Sequence, residues 1–167
     1  MWLTGLPSSG KTTLSKILAK KLKRKGENVI VLDGDNIRNI FPNTGFTQRA
    51  RNRHVERVGE AAILMAENKL TVICALISPY KKIRDKIKKM SKVPFYLIYL
   101  KCNLEECIRR DVKGLYKKAL EGKIENFTGI SQPYEEPENA DLIVDTLVKN
   151  KNQSIKEILN FISLTKV

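Results

Sequence analysis

Short apolar runs alternate along this chain with longer stretches in which apolar residues recur every three or four positions. The opening run, Met1 to Thr4, reads as a strand. Behind it Leu14, Ile17, Leu18 and Leu22 share one face of a helix that Gly26 ends. Val29 to Leu32 is a second strand, closed by Asp33-Gly34-Asp35. A polar stretch with Pro42 and Gly45 leads into a long helix whose inner side carries Val55, Val58, Ala62 and Met65. Val72 to Ile77, ended by Ser78-Pro79, forms the third strand, and Ile83, Ile87 and Met90 mark the buried face of the helix after it. Phe95 to Leu100 is the fourth strand, Leu104 to Arg110 a short helix, and Leu142 to Val144 a short fifth strand. Ile155, Ile158, Leu159 and Ile162 give a closing helix.

This alternation predicts an α/β fold in three layers: a parallel sheet of about five strands, helices on both faces, right-handed crossovers. The 167 residues are read as one domain, 1–167, without repeats or linkers. One stretch escapes the pattern. Residues 113–137 are polar and punctuated by Gly and Pro, with Tyr116, Phe127 and Tyr134 as their aromatics. A loop of that length inside a compact domain is expected to be a lid.

Chemistry enters between the first strand and first helix. Gly5-Leu-Pro-Ser-Ser-Gly-Lys-Thr12 is a complete phosphate-binding loop. Gly5 and Gly10 let backbone N–H groups, those of Ser8 and Ser9 included, turn inward around a phosphate chain. Lys11 reaches the β- and γ-phosphates, and Thr12, followed by Thr13, offers its hydroxyl to Mg²⁺. The following helix adds its N-terminal dipole. In a parallel sheet ligands sit at the carboxyl ends of the strands. The loop, Asp33 and Asp35, Ser78-Pro79 and the start of the 113–137 stretch all fall there.

Such a loop serves switches, motors and phosphotransferases. The guanine-reading Asn-Lys-x-Asp of a switch is missing, since Asn68-Lys69-Leu70-Thr71 lacks the Asp. A small-molecule kinase is the class expected. Asp33 and Asp35 supply the carboxylates that such chemistry needs, one to hold Mg²⁺ directly or through water, one to orient or deprotonate the attacking hydroxyl. Arg38, Arg49, Arg51, Arg53 and Arg57 suit bidentate recognition of phosphate or sulfate, with a basic solvent face as the alternative. The single histidine, His54, reads as a polar or packing residue rather than a base.

The net charge of +13 fits a polyanionic small substrate, a nucleic acid or an acidic membrane surface. Its lysines cluster at Lys20–Lys25 and Lys81–Lys89, around buried helical faces, so they read as solvated surfaces, and no nucleic-acid partner is expected. A nucleotide-dependent nucleic-acid-binding protein remains the remote alternative. No apolar run approaches the length of a membrane span, and, with the sequence opening on a strand, no signal peptide is expected. Cys74, Cys102 and Cys107 have no metal-ligand spacing, and Cys74 lies inside an apolar run. Free thiols and a cytoplasmic location are expected.

Taken together these segments resemble the adenylylsulfate kinase (APS kinase) family. The resembling stretches are Trp2 to Thr13, Asp33-Gly-Asp-Asn-Ile-Arg38, Gly45-Phe-Thr47 with Arg51, and Ile77-Ser-Pro-Tyr80. The most specific are Arg110-Asp-Val-Lys-Gly-Leu-Tyr116, Asn126-Phe-Thr-Gly-Ile130 and Pro133-Tyr-Glu-Glu-Pro137. The resemblance implies a phosphate-loop kinase fold and transfer of the ATP γ-phosphoryl group to the ribose 3′-hydroxyl of adenylylsulfate, a step of sulfate assimilation. It implies that Asp33 is the Mg²⁺-linked or base carboxylate and that Asp35, Arg38, Phe46 and Arg51 contact the acceptor. Ile77 and Ser78 would line the acceptor side, with His54 and the 39–44 segment beside that pocket. Arg110 would cover the ATP adenine, while Lys113 and Phe127 would belong to the lid, Phe127 stacking on the acceptor base.

Three features depart from the family. His54 stands where Asn is usual, the Arg38–Gly45 spacing is shorter by one residue, and the usual extension before the first strand is missing. The first two lie in the acceptor half. They leave open a related nucleotide acceptor such as cytidine diphosphoramidate, and a homodimer is equally left open.

Overall fold

The computed structural model describes residues 1–40 and 45–165. Five strands carry the fold: β1 (Trp2–Thr4), β2 (Val29–Asp33), β3 (Thr71–Ala75), β4 (Leu97–Lys101) and β5 (Leu142–Asp145). The helices are α1 (Lys11–Arg24), α2 (Gly34–Ile40), α3 (Gln48–Glu67), α4 (Lys81–Met90), α5 (Leu104–Arg110), α6 (Leu115–Leu120) and α7 (Lys151–Thr165). The strands form one sheet in the order β2-β3-β1-β4-β5, and every pairing is parallel. The chain thus passes from the central β1 to the edge strand β2, returns with β3 between them, and then adds β4 and β5 on the other side; this reversal opens a crevice at the carboxyl end of β1.

Side-chain alternation along the strands divides the core between two faces. Leu3, Ile73 and Ile98 pack with Leu14, Leu18 and Leu22 of α1 and Ile155, Ile158 and Ile162 of α7. Trp2, Val72 and Cys74 point the other way, to Val55, Val58 and Ala62 of α3 and to Ile83 and Ile87 of α4. Cys74 is a buried free thiol, and burial pushes its pKa up to about 12. The side chain of Thr47 accepts a hydrogen bond from the Ala50 amide and so caps α3.

The expected strands and long helices are all present, with ends shifted by a residue or two. Two helices were not anticipated. Gly34-Asp-Asn-Ile-Arg-Asn-Ile40 turns immediately into α2 instead of running on as a polar stretch. Residues 39 and 40 of the shortened segment close that helix, and residues 41–44 lie outside the described residues. The second surprise lies in residues 113–137, which are not a plain loop. They contain α6, and Tyr116, Ala119 and Phe127 bury themselves with Cys102 and Cys107 in a third apolar cluster. Met90, expected on the buried face of α4, is 37% exposed because it ends the helix beyond its contact with α3.

The two helices on the acceptor face touch closely at Gly59. A Cβ built there would come within 2.8–2.9 Å of three side-chain carbons of Ile87, itself 1% exposed. Alanine gains about 1 kcal/mol of helix propensity over glycine, but overpacking a filled core costs about 1–3 kcal/mol. Gly59→Ala is expected to lower stability by up to about 2 kcal/mol, read from the midpoint of urea unfolding. An unchanged or raised midpoint would show that α3 and α4 can separate freely.

Candidate active site

The phosphate loop is shaped by its backbone. A Cβ at Gly5 would meet the Leu100 carbonyl oxygen at 2.7 Å, and Ser8 and Gly10 adopt left-handed φ values of 63° and 99°. The loop is then fixed from outside. The Thr146 hydroxyl donates to the Ser9 carbonyl at 3.1 Å, and the Tyr116 hydroxyl donates to the Pro7 carbonyl at 3.1 Å. Helix α1 begins at Gly10 with no side-chain cap, so its first amides are available to an anion.

Lys11 is 8% exposed, and its Nζ donates to the Gly5 and Leu6 carbonyls at 2.9 and 2.7 Å. Burial pulls its pKa down from 10.5 to about 8, against the opposing pull of Cys107, Asp33 and Asp35. Thr12 Oγ1 donates to Asp33 Oδ2 at 2.7 Å, and the other Asp33 oxygen accepts the Asp35 amide at 3.1 Å. The hydroxyl and the carboxylate expected at the metal are therefore adjacent. Thr13 follows on the exposed side of α1.

Across the crevice, Phe46 lies between two guanidinium groups, with Arg38 4.8 Å and Arg51 5.5 Å from its ring centroid. Arg51 is 7% exposed. Its Nε donates to the Phe46 carbonyl at 2.9 Å, and it reaches the Asn126 carbonyl in the 113–137 segment. Arg38 donates to the Gly45 carbonyl at 3.2 Å. Burial lowers the pKa of both arginines, and the charge of Arg38 lowers that of Arg51 further. Arg49, Arg53 and Arg57 face solvent, so the arginine set divides into a recognising half and a solvated half. His54 is buried, and desolvation, then Arg38 and Arg57, hold its pKa down to about 4. It is a neutral imidazole at physiological pH.

The other expected residues fall around the same crevice. Lys113 forms an ion pair with Asp35 and so joins the start of the 113–137 segment to the first turn of α2. Arg110 donates to the Thr146 carbonyl at 2.6 Å, beside the phosphate loop that Thr146 also holds. Ile77 and Ser78 follow β3, and the Ile77 carbonyl accepts from the Thr4 hydroxyl at 2.7 Å. Phe127 is 7% exposed, its ring edge-on to Tyr116 at 5.0 Å. It packs in the cluster of Cys102, Cys107, Tyr116 and Ala119.

Residues 132–136 are bound to the sheet end. The Glu135 amide donates to the Pro79 carbonyl at 2.9 Å, Tyr80 donates to Gln132 at 3.1 Å, and Tyr134 shares a 3.0 Å hydrogen bond with Thr4. Arg84 donates to the Ser78 and Glu135 carbonyls at 2.7 and 2.6 Å. The C-terminal part of the expected lid is thus an anchored foot. Thr4, Arg84, Tyr116, Tyr134 and Thr146 were not among the expected site residues. Arg84 had a signal: it stands four residues after Tyr80 and three before Ile87, on the buried side of α4.

A phosphate loop at the end of the central parallel strand, a hydroxyl–carboxylate pair beside it and an arginine-lined wall opposite define a phosphate-loop kinase. The comparisons narrow the class. The sequence model of the adenylylsulphate kinase family matches residues 1–145. A probable adenylyl-sulfate kinase of Aeropyrum pernix is 51% identical over 150 residues, covering 87% of this chain and 82% of that protein. The adenylyl-sulfate kinase of Thermodesulfovibrio yellowstonii is 42% identical over 97% of this chain and 82% of its own. Among solved structures, the Mycobacterium tuberculosis APS kinase in complex with AMPPNP and APS superposes with a TM-score of 0.92. It is 34% identical, over 97% of this chain and 95% of that one. The chain belongs to the adenylylsulfate kinase family.

The lowered pKa of Lys11 has a measurable consequence. A polyphosphate favours its charged form, so binding takes up a proton where free Lys11 is partly neutral. Affinity for a non-hydrolysable nucleoside triphosphate is expected to fall as pH rises through about 8, with net proton uptake near that pH. Titration calorimetry in buffers of different ionisation enthalpy measures both. Affinity that stays flat from about pH 7 to about pH 9.5 would contradict the assignment.

Proposed function

We propose that this protein transfers the γ-phosphoryl group of ATP to the ribose 3′-hydroxyl of adenylylsulfate, giving 3′-phosphoadenylylsulfate. The observation that carries this reading is the pairing of two anion sites across one crevice. One is the phosphate loop with Lys11, suited to the transferring nucleotide. The other is the Arg38–Phe46–Arg51 group, suited to an anionic nucleotide with a stacking base. Its partners are accordingly small nucleotides.

Thr12 and Asp33 fit Mg²⁺: both offer hard oxygens, 2.7 Å apart, to a cation that keeps several of its waters. When bound, Mg²⁺ supplies charge neutralisation at the β- and γ-phosphates. The chain's own residues do the remainder. Lys11 exchanges its two carbonyl partners for phosphate oxygens. Asp33 orients the Thr12 hydroxyl and offers its carboxylate to the acceptor side. Arg38 and Arg51 hold the acceptor's anionic linkage, and Phe46 and Phe127 border its base. Arg110 covers the adenine of ATP. Asp35 trades Lys113 for acceptor hydroxyls, and closing the exposed 121–125 part of the lid excludes water. The cytoplasm suits three unpaired cysteines, all of them buried, and among the described residues no helix is long and apolar enough to cross a membrane.

The decisive test is ADP release at saturating ATP and Mg²⁺, with adenylylsulfate or cytidine diphosphoramidate as acceptor. Adenylylsulfate is expected to stimulate release and the cytidine nucleotide to do so far less; no response to adenylylsulfate overturns the reading. Arg51→Ala is expected to raise the adenylylsulfate KM about 10- to 100-fold, the worth of a charge-assisted hydrogen bond, with the ATP KM nearly unchanged. Asp33→Asn is expected to lower kcat by at least about 100-fold with smaller effects on either KM.

A further inference from the structure

Helix α4 carries one arginine among its lysines, and that arginine is the buried one. Arg84 is 2% exposed, whereas Lys81, Lys82, Lys86, Lys88 and Lys89 all face solvent. Its guanidinium makes a two-pronged bridge. Nη1 donates to the Ser78 carbonyl at 2.7 Å, Nη2 donates to the Glu135 carbonyl at 2.6 Å, and the group lies 5.9 Å from the Tyr134 ring centroid. One prong ends on the acceptor wall after β3, the other on the foot of the lid.

The carbonyl it holds on the wall belongs to a strained residue. Ser78 has a left-handed φ of 38°, a conformation that a serine keeps only when its surroundings impose it. Its side chain is fixed by Trp2 Nε1, which donates at 3.0 Å, and by donation to Thr4 Oγ1 at 3.1 Å. Arg84 fixes its carbonyl. The next residue, Pro79, accepts the Glu135 amide, and the Glu135 carboxylate caps α4 at the Lys81 amide. Among these links the guanidinium of Arg84 is the one that holds both backbone carbonyls, Ser78 on the wall and Glu135 on the foot, with one planar group.

On the reading of the preceding subsection, we propose that Arg84 is a positioning residue for phosphoryl transfer: by clamping the Ser78 carbonyl to the Glu135 carbonyl it fixes the acceptor wall against the foot of the lid and so sets where the acceptor hydroxyl lies. It touches neither nucleotide. The ATP half has separate supports in Thr146 and Tyr116, so loss of the clamp acts on the acceptor alone. A displacement of about 1 Å at a reacting hydroxyl is enough for a large rate loss. Lysine does not reproduce the fork, because it donates from one nitrogen and lacks the two separated, coplanar donors of the guanidinium.

The test uses Arg84→Gln and Arg84→Lys in the full chain, with steady-state kinetics in both substrates and circular dichroism to verify folding. Wild-type turnover with adenylylsulfate is the control: its failure overturns the proposed function and not the role of Arg84. With that control active, both variants are expected to raise the adenylylsulfate KM about tenfold or more and to lower kcat, while the ATP KM stays within about twofold. If Arg84→Gln does not fold, Arg84→Lys decides, since it keeps the charge and can satisfy one carbonyl. Unchanged acceptor kinetics in a folded variant overturn the proposal. So does an equal rise in both KM values, which marks Arg84 as a structural support only.

Discussion

The hydroxyl of Thr4, at the end of the central strand, is the point on which the site is assembled. It is fully buried and uses its whole hydrogen-bonding capacity: it donates to the Ile77 carbonyl, accepts from Ser78 and meets the Tyr134 hydroxyl. Ser78 passes the chain on to the indole of Trp2. A buried hydroxyl left without partners costs about 1–3 kcal/mol, and a left-handed serine costs a similar ~1–3 kcal/mol. The strain at Ser78 is thus held by a network in which every member is satisfied. Three segments far apart in sequence meet there: the strand that launches the phosphate loop, the exit of β3 and the foot of the lid.

Around this junction the two halves of the crevice are braced independently. Thr146 and Tyr116 hold the phosphate loop from the β5 side and from α6. Arg51 ties α3 to Asn126 on the acceptor side. The Lys113–Asp35 ion pair joins the lid's beginning to the first turn of α2, and both side chains are well exposed, so this clasp contributes little to stability and opens easily. A kinase that must admit two nucleotides and then exclude water is served by firm walls with one weak clasp between them.

The sheet, its two helical faces and the phosphate loop were legible in the sequence because each is encoded locally. Leu14, Leu18 and Leu22 announce a helix by spacing alone, and the loop's glycines and lysine occur as an uninterrupted motif. The acceptor residues were legible only through resemblance to a family, since Arg38 and Arg51 look the same in sequence as the solvent-facing Arg49 and Arg53. What stayed hidden is non-local. Residues 113–137 showed no periodicity because their core is completed by Cys102 and Cys107, outside the segment. Arg84 was hidden by its lysine neighbours, although its helical register with Tyr80 and Ile87 marked it as buried. Helix α2 was hidden because Gly34 and Asn36 are poor helix formers, and Asp33 and Asp35 drew attention as chemistry rather than as structure.

The end of the lid, residues 132–136, belongs to the rigid frame of the site, while the moving part precedes it. Amide hydrogen exchange without nucleotides tests this directly. The account predicts that the Glu135 amide, bonded to the Pro79 carbonyl, exchanges as slowly as amides of β3, while residues 121–125 exchange fast. Exchange at Glu135 as fast as at 121–125 would show that the foot is not anchored and would contradict the account.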